Sequence, residues 1–567
     1  MTEAGSPVAH SARPRAASGR TWPLTALTLL VAALVALPIL SVVANVFVDT
    51  GDVWGDLVGT VLADYLVNTV ILMAGVGLGA GAIGTGAAWL VTMCRFPGRG
   101  ILEWALLLPF AVPAYVLAYV YTDLLDYAGP VQTALRDAFG WTRHDYWFPD
   151  IRSVAGAVAM LVLVLYPYVY LLARNAFLNQ SVAALEVART LGHGPWRSFF
   201  RVALPMARPG IAAGLALALM ETLADFGTVD FFGVRTFTTG IYRTWFLRGS
   251  PEVAAQLATM LMVFVVAVLA LERGSRGSAR FQGGSARFVP LPTYPLRGGK
   301  ALLAVAACLL PVICGFALPG ALLLDLAITR GDPLLGTAFL GYAANSFTVA
   351  ALAAVLGIGA ALALGYGARM AAGPLARQAA RFASMGYAIP GSVIAVGVLI
   401  PLAWFDNTLD AFMRDTFGIS TGLLLTGSIA ALLFAYVVRF LAVAYNAVDA
   451  GLSKITPSMD GASRTLGHGL GSTLWRVHVP LLRGSLLTGA LLMFVDVMKE
   501  LPATLIVRPF NFDTLAVRVY RLAADERLAE ASTAALAIVA VGIVPVILLS
   551  RQIGRSRPGN AEPRDDG

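Results

Sequence analysis

The sequence predicts an all-α polytopic membrane protein of about twelve transmembrane helices. They fall in two parallel six-helix repeats, each with a helix-turn-helix loop. Three observations predict it. The 567 residues are 58% hydrophobic and 13% charged, with a mean hydropathy of +0.74, more apolar surface than a soluble domain can bury. Twelve apolar segments are long enough to span a bilayer, near 23–47, 66–94, 101–124, 153–177, 208–232, 253–272, 301–327, 346–368, 382–404, 422–447, 484–507 and 531–550. And the hexapeptide RTLGHG occurs twice, at 189–194 and 464–469, an offset of 275 residues.

Taken in order, residues 1–22 are a polar, basic tail, and the run after it is too long for a signal-peptide core, so it reads as a retained first span. Residues 23–272 form a first six-span domain and 301–551 a second, joined by a Gly-, Ser- and Arg-rich linker at 273–300, with a tail at 552–567. Six spans per half return the chain to the side where it started, so the halves repeat in the same orientation. The internal match extends past the loops. Asn68-Thr69 matches Asn345-Ser346, and Pro113 matches Pro390, at an offset of 277. Downstream the offset is 275, pairing Glu221 with Asp496, Asp225 with Glu500 and Arg243 with Arg518.

Arginine and lysine concentrate in the segments on one side, whereas loop 48–65 on the other carries four aspartates and no cation. The positive-inside rule therefore places both termini and both RTLGHG loops in the cytoplasm. The formal charge of +8 is accounted for by such loops, and nucleic-acid binding is set aside. Cys94, Cys308 and Cys314 show no ligand spacing and read as small core residues. The five histidines have no second ligand nearby in sequence, so no metal site is assigned. No cofactor motif and no catalytic constellation is present. Gly298-Gly299-Lys300 is followed by Ala301 rather than Ser or Thr, so the chain has no phosphate-cradling loop.

Each RTLGHG loop is too long for a simple connection. A short helix precedes the Gly192 turn. A second follows it, with Trp196, Phe199, Phe200, Ala203 and Leu204 on one apolar face. Pro205 and Pro480 are expected to end that second helix before the next span. These loops resemble the EAA signature of permease subunits of bacterial ATP-binding cassette importers. The pattern reads Glu186-Val187-Ala188, Gly192 and Leu204-Pro205 in the first copy, and Gly461-Ala462-Ser463, Gly467 and Val479-Pro480 in the second. The second copy lacks the acid, though Asp460 is adjacent. The resemblance implies that Glu186, Ala188, Gly192, Pro205, Asp460, Gly467 and Pro480 belong to coupling loops for two ATPase subunits. It also implies an external substrate-binding protein as partner. Stretches 220–246 and 494–520 are similar to fused ferric-iron permeases, and fused thiamine permeases share the architecture.

Glu221 and Asp225, and equivalently Asp496 and Glu500, stand four residues apart on one helix face. At 1.5 Å per residue Glu221 lies about 18 Å along the helix from Pro209, near mid-membrane. A charge at that depth costs about 2.5–3.5 kcal/mol unless it faces protein or water. The four acids are therefore expected at the interface of the halves. There they would either line a path for a cationic substrate or pair with Lys499 and nearby arginines. Twelve spans with buried acids also fit an ion-coupled secondary transporter, but such a carrier needs no paired loops for a partner.

Overall fold

The computed structural model describes residues 22–180, 186–187, 190–192, 194–276, 293–330, 336–370, 374–384 and 386–555. Among the described residues eleven helices are long and apolar enough to cross a membrane, and a bent pair, Arg99–Ala111 and Ala114–Phe139, makes twelve when counted as one span. The protein is a nearly all-helical polytopic bundle.

The bend of 91° corrects the expectation of one straight span over 101–124. Val112 precedes proline and is extended (ψ 122°), as is Pro113 itself (ψ 141°), so the chain turns between two helical pieces. The second half repeats this corner at Pro390 (ψ 143°). There the amphipathic helix Pro374–Ala383 lies before the corner and the unbroken helix Gly391–Phe417 after it, which shifts the span expected at 382–404. Apolar composition runs through both corners, so hydropathy alone cannot see them.

Within each half, the helix Val154–Leu178, or its counterpart Ile429–Leu452, sits at the centre. The flanking helices Leu62–Met93 and Leu204–Ala224, or Thr337–Met370 and Val479–Met498, pack against it. Small residues let the backbones meet. A Cβ at Gly84 would stand 2.8 Å from the Tyr166 carbonyl oxygen. Asn68 and Asn345, paired by the internal match, also do equivalent work. Each donates its side-chain amide to a carbonyl of the same half, Asn68 to Arg235 at 2.9 Å and Asn345 to Asp513 at 3.1 Å.

The halves interlock rather than sit side by side. The first helix, Trp22–Ala44, packs on Thr337–Met370, Pro374–Ala383 and Gly391–Phe417 of the second half. In return Gly299–Val312 and Leu318–Thr329 pack on Leu62–Met93, Arg99–Ala105 and Ala114–Leu125 of the first. The contact is close enough to be tested. A Cβ at Gly397 would lie 2.3 Å from the Pro38 carbonyl oxygen, so no side-chain rotation relieves it. Gly397→Ala is expected to cost about 1–3 kcal/mol by overpacking, seen as a lower unfolding temperature of the purified chain.

Candidate functional site

The four acids meet in one place. Glu221, Asp225, Asp496 and Glu500, from two equivalent helices, line a cavity of about 120 Å³ between the halves, together with Arg439 and Lys499. Four carboxylates thus face two cations.

The acids divide by role, and the division repeats in both halves. Asp225 ends the helix Leu204–Ala224 and caps the short helix Gly227–Phe231, accepting from the Val229 amide at 3.1 Å and the Thr228 hydroxyl at 2.9 Å. Glu500 caps Pro502–Val507, accepting from the amides of Ala503 and Thr504, both at 2.9 Å, and the Thr504 hydroxyl at 2.6 Å. Both satisfy backbone groups that a helix start otherwise leaves bare. Glu500 also lies 3.4 Å from the buried Arg439 guanidinium. One turn earlier, Glu221 receives no ion pair or hydrogen bond among the described residues and faces the cavity. Its counterpart Asp496 pairs with Lys499 at 3.1 Å, whose ammonium also rests 4.5 Å from the Phe110 ring centre. Sequence reasoning therefore located all four acids but missed that two are caps. It expected arginines near the acids without singling out Arg439, a lone arginine inside an apolar span, as the partner of Glu500.

Polar contacts join the halves beyond the cavity, away from the repeated loops. Tyr520 donates to Asp230 at 2.7 Å, and Arg152 meets Glu526 at 3.2 Å. Phe226 packs on Tyr520 in the same layer. On the loop side a wider cleft of about 1350 Å³ opens between the halves, with Arg273 and Lys454 on its wall. Tyr168 borders both spaces, its ring edge-on to Phe110 at 4.9 Å. The arrangement is closed on one face and open on the face carrying the loops. Among the described residues no three His, Cys, Asp or Glu side chains converge to hold a metal ion. The four acids line a cavity rather than form a chelating cage.

In the second loop the helix Pro457–Thr465 ends at Gly467, whose φ of 83° is left-handed. His468 N donates to Ser463 O and Gly467 N to Arg464 O, both at 3.0 Å, a paired closure that needs the positive φ. In the first loop Gly192 has φ 77°, and Glu186 is helical and exposed. Ala188, Arg189 and His193 lie outside the described residues.

The expectation that Pro205 and Pro480 end the second helix is corrected. In both loops that helix runs into the next span through one wide π-turn, Phe199–Ala203 or Leu474–His478. Each turn closes with an i to i−5 bond from the residue before proline, Leu204 to Phe199 and Val479 to Leu474. A third instance, Ile313–Ala317, precedes Pro319 in the same way. Proline lacks an amide donor and clashes with the carbonyl four residues back; the widened turn absorbs both faults. It also splits the expected apolar face. Phe199 (8% exposed) and Ala203 (0%) turn into the protein, while Trp196 (69%) and Phe200 (59%) stay outside. In the second loop Leu466 and Trp475 are exposed apolar residues, with Met459 beside them. Asp460 turns inward, toward Arg369 and His478, rather than outward toward a partner.

Comparison with known proteins agrees with this arrangement. Residues 80–273 match the family described as binding-protein-dependent transport system inner membrane component. The molybdenum transport system permease ModB of Escherichia coli is 30% identical over 203 residues, 86% of its length and 35% of this chain. The chain belongs to the binding-protein-dependent transport permeases. Relatives matched along most of both chains are permeases of this kind. An Fe(3+)-transport system permease, FbpB 2 of Haemophilus influenzae, is 25% identical over 497 residues, 86% of this chain and 90% of its own. A ferric transport system permease of Actinobacillus pleuropneumoniae is 23% identical over 524 residues, 88% of this chain and 73% of its own. Like this family, the chain is a multi-pass inner-membrane transport component.

Proposed function

We propose that the chain is the complete membrane path of an ATP-driven importer that takes ferric iron from an external binding protein into the cytoplasm. One chain with two loops does the work of two permease subunits. Each loop docks one ATPase subunit, through Leu191, Trp196 and Phe200 in the first and Leu466 and Trp475 in the second, and both loops and both termini face the cytoplasm. The closed face then receives the binding protein, and the wide cleft releases cargo.

The observation that carries the cargo is the cavity's charge. Four carboxylates against two cations favour a cation, and carboxylate oxygens are hard donors suited to ferric ion. An oxyanion such as molybdate would meet repulsion there. The cavity of about 120 Å³ is also far below the roughly 300–1,000 Å³ of small-molecule pockets, which favours an ion over thiamine. The test is a cargo panel in vesicles holding the chain, its ATPase and its binding protein. ATP-dependent uptake of ferric iron, and not of molybdate or thiamine, is expected. Uptake driven by an ion gradient without ATP would instead support a secondary carrier.

The loops supply a separate prediction. A Cβ at Gly467 would meet no atom within 4 Å, so Gly467→Ala tests backbone strain alone. The left-handed φ makes it cost about 1–3 kcal/mol, confined to the turn. Less ATPase is expected to copurify with the variant while the spans keep their unfolding temperature.

A further inference from the structure

The two loops are anchored to the membrane bundle by different chemistry. In the second half Arg369, in the last turn of Thr337–Met370, donates through Nε and Nη2 to Asp460 Oδ2 at 3.1 and 2.8 Å. Its remaining donors reach the carbonyls of Leu452 and Ile455, both at 2.8 Å, at the end of the central helix. The other Asp460 oxygen lies 2.7 Å from Nε2 of His478, which is fully buried in the π-turn. Tyr366 packs edge-on against the His478 ring and donates to the Leu470 carbonyl at 2.8 Å. Ser463 and Thr473 then join the two short helices of the loop to each other. Guanidinium and carboxylate meet at fixed angles, so this joint resists sliding as well as separation.

At the corresponding positions the first half carries Thr92, Leu185, Ala203 and Trp89. Thr92 bonds only its own helix. Among the described residues the contacts of the first loop's π-turn include Trp89, whose ring lies 4.9 Å from Phe199, and a hydrogen bond from Gln180 to the Ala203 carbonyl. Among the described residues no ion pair ties that loop to the bundle. Apolar contact is non-directional and lets the parts shift.

We propose that Arg369, Asp460 and His478 are positioning residues that lock the second coupling loop to the bundle, so that this half transmits the ATPase stroke rigidly while the first moves on an apolar joint. The inference rests on the coupling-loop reading above.

The test is the ratio of ATP hydrolysed to ferric iron taken up, in vesicles holding the full chain with its ATPase and binding protein. Two variants are compared: Asp460→Asn, and Arg369→Thr/Asp460→Leu/His478→Ala, which installs the first half's residues and leaves no buried charge unpaired. Both are expected to hydrolyse ATP within about twofold of the unaltered protein, yet to raise the ratio at least about tenfold. Thr92→Ala should leave it unchanged. An unchanged ratio in the triple variant would overturn the proposal. So would loss of ATPase copurification in both variants, because the network would then only fold the loop. If the unaltered protein shows no ATP-dependent uptake, the coupling-loop reading itself fails instead.

Discussion

Glu500→Ala is expected to be the most destabilising single change at the interface of the halves. The residue is 4% exposed, and its carboxylate accepts three hydrogen bonds that start the helix Pro502–Val507. Losing such a cap costs about 0.5–2 kcal/mol. The larger loss concerns Arg439, 8% exposed, which would keep its charge in the bundle without its partner. Removing one partner of a buried ion pair costs about 3–5 kcal/mol. Asp225→Ala removes an equivalent cap but no ion pair, so about 0.5–2 kcal/mol is expected. Thermal unfolding of the purified chain should rank the unaltered protein above Asp225→Ala, and that above Glu500→Ala. Arg439→Met combined with Glu500→Leu should recover part of the loss. Equal unfolding temperatures for the two alanine variants would show that the pair contributes nothing.

The second large effect falls on transport instead. Glu221→Gln with Asp496→Asn keeps side-chain size and leaves both caps intact. Among the described residues Glu221 has no ion-pair or hydrogen-bond partner to lose, and Asp496 loses its contact with Lys499. Stability should therefore change little. The cavity, however, goes from four carboxylates against two cations to two against two. A pair of unit charges 4 Å apart is worth about 4 kcal/mol at an effective dielectric of 20. Tenfold in rate needs only about 1.4 kcal/mol. A fall of at least about tenfold in ferric uptake is expected, with an unfolding temperature within a degree or two of the unaltered protein. The opposite pattern, lower stability with normal uptake, would assign these acids a structural role.

Much of this was visible in the sequence because duplication leaves matched residues at nearly constant offsets, 277 before the loops and 275 from them onward. The six-span halves, the loops, the loop glycines and the pairing of Glu221 with Asp496 and Asp225 with Glu500 all follow from it. What stayed hidden depends on the path of the backbone. Asp225 and Glu500 read as mid-span acids because the helix break after them adds no polar run. Their cap signature was present nonetheless: Thr228 three residues after Asp225, and Pro502 and Thr504 after Glu500. Pro205 and Pro480 read as stops because a π-turn leaves no mark in composition. The Pro113 and Pro390 corners were likewise masked by continuous apolar sequence. The exchange of first helices between the halves is a tertiary choice, and its only trace is small residues such as Gly397 where backbones meet.

The most direct measurement is radiolabelled ferric uptake into vesicles holding the chain, its ATPase and its loaded binding protein, with and without ATP, for the unaltered protein and Glu221→Gln/Asp496→Asn at matched amounts. Accumulation by the unaltered protein only when ATP is present, and at least about tenfold less by the double variant, is the predicted result. Uptake indifferent to ATP, or equal in the two proteins, would contradict an ATP-driven path through the acidic cavity.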